Sequence, residues 1–185
     1  MALTSSNELD NTFSAPDFSL FDTISGQVLS LNGLKGDQGT VIMFICNHCP
    51  FVKHVNAELV NLANEYMGKG IGFIAISSND VANYPMDSPE QMKLIAQEYS
   101  YPFAYLYDET QETAKAYHAA CTPDFYVFDQ ELLLYYHGQL DDSRPGNDLP
   151  VTGLDMRKAL DALLQGNSPL PSQKPSIGCN IKWKD

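Results

Sequence analysis

The chain has 185 residues, of which 44% are hydrophobic, so it is long enough to build one domain around a core of its own. Four cysteines are too few for a small scaffold held together by disulfides. The formal net charge of -12 repels phosphates, which argues against nucleic acid or an anionic membrane surface as a partner.

The first part of the chain predicts a leader followed by a hairpin. Residues 1–14 are polar and are typical of a flexible leader. They contain no basic start, apolar run or cleavage site of a secretion signal, so we expect a cytoplasmic protein in which thiols stay reduced. Short alternating runs on either side of Ser25-Gly26 then predict a β-hairpin.

A buried strand and an amphipathic helix come next. Residues 41–45 are a continuous apolar run, which is typical of a strand buried on both faces. Pro50 suits the first turn of a helix, because its missing N–H is not needed there. Apolar residues then recur at steps of three and four as far as Tyr66, and Gly68 follows as a stop signal.

The rest of the chain alternates strands and helices. Strands are predicted at 71–76, 103–107, 125–128 and 132–136, and helices at 89–99, 108–119 and 152–166. This order predicts an α/β domain over residues 15–166, with a mixed central sheet flanked by helices. Residues 167–185 are rich in proline and predict an extended tail that packs on the domain.

The chemistry is concentrated in the segment from Cys46 to Cys49, between the buried strand and the helix. Two cysteines at this spacing beside a βαβ pattern favour a redox dithiol. Because a helix N-terminus stabilises a thiolate, we expect Cys46 to be the exposed attacking thiol. Cys49, facing inward, would resolve the mixed disulfide. A protonated His48 between the two would favour the thiolate further.

Other interpretations of the cysteines stay open. Cys46, Cys49 and a histidine could form a thiolate metal-binding module, since soft thiolates suit Zn²⁺ and Cu(I). The other half of a zinc site is missing at short spacing, so we expect no bound metal. Cys121 and Cys179 are possible additional thiols, the latter as a resolving or intermolecular thiol, or else are ordinary packed residues.

Several motifs together resemble the alkyl hydroperoxide reductase/thiol-specific antioxidant (AhpC/TSA) group of the thioredoxin superfamily, among its members with a C-x-x-C pattern. They are Ala15-Pro16-Asp17-Phe18, the segment 44–50, Thr122-Pro123-Asp124, the stretch 138–164 and Pro175-Ser176-Ile177-Gly178-Cys179. The resemblance covers about residues 15–183 and implies a thioredoxin-like fold. It also implies that Pro123 is cis, lies against the dithiol and, with Thr122, faces a partner. We expect Asn47 and Pro50 on the same partner-facing side.

We therefore expect a thiol–disulfide oxidoreductase that needs no cofactor beyond its own dithiol. Its partners would be a disulfide-bearing protein or a small thiol, and a reductant of the thioredoxin or glutathione type. The alternative is a thiol peroxidase, a peroxiredoxin-type antioxidant. Against that alternative, Ile42 and Cys46 stand where the resemblance would place the proline and threonine of a peroxidase site, and both arginines come late in the chain.

Overall fold

A computed structural model describes residues 3–184. It contains ten strands, which are β1 (Leu3–Ser5), β2 (Ser19–Asp22), β3 (Val28–Ser30), β4 (Gly39–Phe44), β5 (Ile71–Ser77), β6 (Ala104–Tyr107), β7 (Cys121–Thr122), β8 (Asp124–Asp129), β9 (Leu134–His137) and β10 (Ile177–Asn180). Seven of them form a mixed sheet in the order β3-β2-β6-β5-β4-β8-β9. The other three form a small sheet in the order β1-β10-β7.

Helices connect these strands and cover the main sheet. They are α1 (Leu31–Leu34), α2 (Pro50–Tyr66), α3 (Pro89–Tyr99), α4 (Glu112–Ala116) and α5 (Leu154–Leu164), with 3₁₀ turns at Met67–Lys69 and Pro85–Asp87. Within the described residues, no helix is long and apolar enough to cross a lipid bilayer.

Strand β4 is the centre of the main sheet, between parallel β5 and antiparallel β8. All six of its residues are buried, as the apolar run predicts. Each large apolar side chain buried there stabilises the fold by roughly 1.5–3 kcal/mol relative to exposure. The strand therefore anchors the segment that follows it, which contains Cys46 and Cys49.

Helix α2 covers one face of the sheet and begins with Pro50 at its first turn. Its predicted apolar stripe is buried and consists of Val52, Val55, Leu59, Leu62 and Tyr66. This stripe belongs to a core cluster that also contains Met156 and Leu160 of α5. A second cluster, which includes Phe44, Tyr117 and Tyr126, covers the opposite face. The expected sheet with helices on both sides is confirmed.

Two of the predicted elements that differ in extent from those observed have a local cause. The helix predicted at 108–119 shrinks to α4, because Gln111 and His118 take left-handed backbone conformations at φ 65° and 54°. The strand predicted at 132–136 is β9, and it begins at Leu134. The Asp129 carboxylate accepts the Leu133 N–H and holds residues 129–133 in a turn. Side-chain hydrogen bonds of this kind compete with regular structure.

The two ends of the chain meet in the small sheet. Residues 3–5, within the expected leader, form β1, and the proline-rich tail contributes β10 between β1 and β7. These strands are only two to four residues long, so the alternation that marks a strand in sequence is too short to detect. The pairing carries the tail across the edge of the domain where the two motif cysteines lie.

Candidate active site

The two motif cysteines lie between β4 and α2, and Cys49 is the residue that caps the N-terminus of the helix. Both are free thiols. Cys46 is 1% exposed and Cys49 is 0% exposed. The expectation that Cys46 is exposed and only Cys49 faces inward is therefore wrong, because neighbouring segments cover both sulfurs.

The loop before β8 contacts both sulfurs. The Thr122–Pro123 peptide bond is cis, as the resemblance implies. The Thr122 hydroxyl lies 3.3 Å from the Cys46 sulfur, and the Thr122 carbonyl oxygen lies 3.2 Å from the Cys49 sulfur. One residue thus holds the two thiols side by side. Thr122 is itself 3% exposed, so this loop meets other parts of the same chain rather than open solvent.

A third sulfur reaches the pair from the tail. Cys179 in β10 lies opposite Thr122 in the strand register, and its sulfur is 2.7 Å from the sulfur of Cys49. Gly178 makes this approach possible, since a Cβ at that position would come within 2.1 Å of the Thr122 carbonyl oxygen. Strand β10 therefore lies directly on the loop and on the dithiol.

Cys121 is near this group but is turned differently. Neighbouring residues of a strand point to opposite sides, and the Cys121 thiol faces the Pro123 carbonyl oxygen at 3.5 Å. Burial, followed by the charge of Asp124, raises the pKa of Cys121 well above its ordinary value. The structure thus brings Cys179, rather than Cys121, against the dithiol.

His48 is held by a buried carboxylate that the sequence did not reveal. The imidazole Nδ1 lies 2.6 Å from Oδ2 of Asp87, a side chain with no exposed surface. The other oxygen of Asp87 accepts the backbone N–H groups of Asn47 and His48 at 2.8 and 3.2 Å. His48 also stacks on the Tyr84 ring at 5.4 Å. Asp87 therefore fixes both the backbone of the motif and its histidine.

These contacts set the charge on Asp87. Burial alone would raise the pKa of Asp87, but hydrogen bonds from His48, Asn79 and the Asn47 N–H outweigh burial and lower it. Asn79 is shared with the tail. Its Nδ2 donates to Asp87 at 2.8 Å, while its side-chain oxygen accepts the Lys182 N–H at 2.8 Å.

Asn47 and Pro50, the other two residues expected to face a partner, differ in exposure. Asn47 is 4% exposed and points inward, where it donates to the Met86 carbonyl and accepts from the Tyr105 hydroxyl. Pro50 is exposed at the start of α2. Asn47 is thus positioned to brace the motif rather than to meet a partner.

The two thiols of the motif have opposite proton affinities. The hydrogen bond from the Cys46 thiol lowers the pKa of Cys49 to about 5 against the effect of burial, and the Cys179 thiol and the Val52 N–H lower it further. That same hydrogen bond, burial and the charge of Asp87 raise the pKa of Cys46 well above its usual range. The electrostatics thus favour a thiolate at Cys49. The argument from the helix N-terminus predicts it at Cys46 instead.

A metal-ligand set is present, though it is not the expected one. Ligand atoms of Cys46, His48 and Asp87 lie within 4.8 Å of one another. The Asp87 oxygens are already satisfied by hydrogen bonds from Asn47, His48 and Asn79. Hydrogen bonds therefore account for the Asp87 oxygens, whereas the buried Nε2 of His48 has no hydrogen-bond partner among the described residues.

Comparison with solved structures identifies the fold. Its fold is that of the thioredoxin domain of a thiol-disulfide oxidoreductase from Bacteroides vulgatus, with a TM-score of 0.59 and 19% identity. That match covers 70% of this chain and 89% of the other. The predicted thioredoxin-like fold is therefore confirmed.

The sequence profile of the AhpC/TSA family matches residues 13–137, and the chain belongs to this family. Much more similar structures are those of an uncharacterized conserved protein from Geobacillus kaustophilus and a hypothetical protein from Sinorhizobium meliloti 1021. The first has 62% identity and a TM-score of 0.97 over 100% of this chain and 97% of that chain. The second has 45% identity and a TM-score of 0.95 over 98% of each. Among curated proteins, no sequence matches the chain. Family and fold together support a thioredoxin-like redox role and suggest an oxidoreductase.

Proposed function

We propose that the protein is a thiol–disulfide oxidoreductase that works through Cys46 and Cys49. The observation that supports this most is the contact of both sulfurs with Thr122, beside the cis-Pro123 peptide bond. The arrangement holds two thiols of opposite proton affinity next to each other at the start of a helix. Two such thiols can give two electrons to a disulfide and become a disulfide themselves.

The first step is attack by the Cys46 sulfur on one sulfur of a partner disulfide. As Cys46 attacks, its proton moves along the hydrogen bond to the Cys49 sulfur, against the resting proton affinities of the two thiols, and the second partner sulfur leaves as a thiolate. That leaving thiolate takes the proton from Cys49. The regenerated Cys49 thiolate then attacks Cys46, forms the Cys46–Cys49 bond and releases the partner as its second thiolate. Two electrons pass to the partner.

The partner is a disulfide-bearing protein or a small thiol compound, and no cofactor beyond the dithiol is required. A pocket beside the cis-proline supports this, since its lining includes the apolar residues Phe51, Val55 and Leu140 together with Pro123 and Arg144. Because both sulfurs are buried, a partner gains access only when a covering segment moves aside, and β10 is the segment whose Cys179 contacts Cys49. A reductant of the thioredoxin or glutathione type would return the dithiol to its reduced state. We also propose that the protein works in the cytoplasm.

The test measures reduction of insulin disulfides by the reduced full-length chain. Cys46→Ser is expected to abolish turnover, and Cys49→Ser to trap the mixed disulfide on Cys46. Cys121→Ala is the matched control, because it also removes a buried thiol but leaves the dithiol contacts in place, and it should turn over normally. Reduction that persists in Cys46→Ser would refute the proposal.

Membership of the AhpC/TSA family favours peroxide reduction as a second candidate. The surroundings of the dithiol favour it less. In residues 3–184 both arginines are engaged elsewhere, Arg144 by the Asp141 carbonyl and Arg157 by Glu58 and Glu65. Among the described residues, neither guanidinium forms a hydrogen bond with the sulfur of Cys46 or Cys49. Stopped-flow oxidation of the reduced protein by hydrogen peroxide separates the two activities, and rapid oxidation at micromolar peroxide would support the peroxidase.

A further inference from the structure

Strand β10 covers the dithiol in a defined register. Cys179 lies opposite Thr122, and Asn180 lies opposite Cys121. The tail beyond the strand is fastened as well, since the Gln111 side chain binds the Lys182 carbonyl at 2.8 Å and the Lys184 N–H at 2.8 Å. The sulfur of Cys179 is therefore not on a loose end but is held at a fixed place over the site.

Cys49 lies between two sulfurs. Its sulfur is 2.7 Å from that of Cys179, against about 2.05 Å in a disulfide bond. The Cys49 sulfur also accepts a hydrogen bond from the thiol of Cys46. Cys46 lies in the segment after β4 and Cys179 lies in β10, so the two sulfurs reach Cys49 from different segments of the chain. Cys49 can thus bond to either neighbour with little movement.

Building on the proposed function, we propose that Cys179 is a third redox thiol that takes Cys49 from the Cys46–Cys49 disulfide. The Cys179 sulfur attacks the Cys49 sulfur, and a Cys49–Cys179 bond forms as the Cys46–Cys49 bond breaks. The electron pair of the broken bond goes to Cys46, which ends with the proton that Cys179 loses. The exchange is an isomerisation, so it needs no further oxidant or reductant.

This exchange would give the oxidised protein two forms with different access. In the Cys46–Cys49 form, β10 is held only by hydrogen bonds and packing. In the Cys49–Cys179 form, the tail is covalently tied over the loop and Cys46 is a thiol again. Cys179 thereby converts the oxidised site into a closed one until a reductant opens it.

The test uses the full-length chain with Cys46→Ser, which leaves Cys49 and Cys179 facing each other. The reduced protein is incubated with oxidised glutathione, quenched in acid and alkylated, and its disulfides are mapped by peptide mass spectrometry. We expect the Cys49–Cys179 bond to exceed the Cys49–glutathione adduct about tenfold, because a neighbouring thiol has a high effective concentration. Cys46→Ser with Cys121→Ala is the control and should behave in the same way.

The double variant Cys46→Ser with Cys179→Ser should instead accumulate the glutathione adduct. The proposal is overturned if Cys46→Ser accumulates that adduct, stays reduced or pairs Cys49 with Cys121. The wild-type chain separates this failure from failure of the proposed function. If it reduces insulin through Cys46–Cys49 and never shows Cys49–Cys179, only the third thiol is refuted. If Cys49–Cys179 forms but insulin is not reduced, the proposed function fails and the internal couple stands.

Discussion

The two cysteines of the motif are three residues apart but lie in contrasting surroundings. On the Cys46 side, the charged neighbour is Asp87, which the segment after β5 supplies and which also holds His48. On the Cys49 side, the neighbours are the Thr122 carbonyl and the Cys179 thiol of the tail. The hydrogen bond to Cys49, burial and the charge of Asp87 raise the pKa of Cys46. The hydrogen bonds that Cys49 accepts from the thiols of Cys46 and Cys179 and from the Val52 N–H lower the pKa of Cys49. The difference teaches that spacing in sequence defines a dithiol, while the segments folded against it decide which thiol carries the charge.

The largest expected effect of this difference is that, of the two motif cysteines, only Cys49 is a thiolate at neutral pH. Its pKa of about 5, against 9.0 for an ordinary thiol, means that ultraviolet thiolate absorbance persists at neutral pH and disappears as the pH falls through about 5. Because the folded value is depressed, this thiol adds stability that is fully present above pH 9 and is lost as the pH falls toward 5. Cys49→Ser should abolish the signal, and Cys121→Ala should keep it. A signal that survives in Cys49→Ser and vanishes in Cys46→Ser would reverse the contrast.

Displacing β10 is expected to expose the buried thiols on the Cys49 side. In Gly178→Ala the new Cβ would lie 2.1 Å from the Thr122 carbonyl oxygen, so the backbone of β10 or of the Thr122 loop must shift. We expect a cost at the upper end of the roughly 1–3 kcal/mol typical of overpacking. Labelling of the buried thiols by a disulfide reagent should accelerate at least about tenfold, since 1.4 kcal/mol corresponds to a factor of ten.

Gly68→Ala is the matched control for this variant, because its Cβ would have nothing within 4 Å and its backbone needs no positive φ. Its labelling rate and its urea midpoint should match those of the wild type. Equal labelling of the two variants would mean that β10 does not limit access to the dithiol.

The Cys46 side is expected to respond to loss of charge at Asp87. Asp87→Asn removes the carboxylate that holds His48 and raises the pKa of Cys46, so the pKa of Cys46 should fall. We expect a loss of about 2 kcal/mol in unfolding free energy, since a hydrogen bond to a charged group is worth roughly 1.5–3 kcal/mol. The loss should be largest above the ordinary Asp pKa of 3.8 and should fade as acid protonates the wild-type carboxylate.

Asp37→Asn gives the control, because Asp37 is exposed. Urea unfolding at neutral and acid pH compares the two variants with the wild type. If Asp87→Asn and Asp37→Asn lost the same stability at every pH, the carboxylate would have no special role beside the motif.

The smallest expected effect concerns the brace behind the motif. Tyr105→Phe removes the hydroxyl that donates to the Asn47 side chain at 3.0 Å and leaves the aromatic packing unchanged. We expect a loss of about 1 kcal/mol, the usual net value of one hydrogen bond. Tyr107→Phe, on the same strand but half-buried, is the control for thermal unfolding. Identical melting of the two variants would show that Asn47 needs no support from Tyr105.

The parts of the fold that sequence predicts well are those whose signals are local. The apolar run of β4, the start of α2 at Pro50 and the hairpin at Ser25-Gly26 each depend on neighbouring residues only. The contact of Cys49 with Cys179 joins residues 130 apart in the chain, and no local pattern encodes it. Asp87 escapes detection for the same reason, since nothing beside it in sequence distinguishes it from an exposed acid.

The tail and the acid beside the histidine share one amide group, and this has a thermodynamic consequence. Asn79 binds the Lys182 backbone with its oxygen and Asp87 with its nitrogen. By reciprocity, if protonation of Asp87 changes the docking equilibrium of the tail by some factor, undocking of the tail changes the proton affinity of Asp87 by that same factor. A molecule that displaces the tail would thus change the pKa of Asp87 without contacting Asp87. The Asn79 side chain thus couples the docking of the tail to the protonation of Asp87.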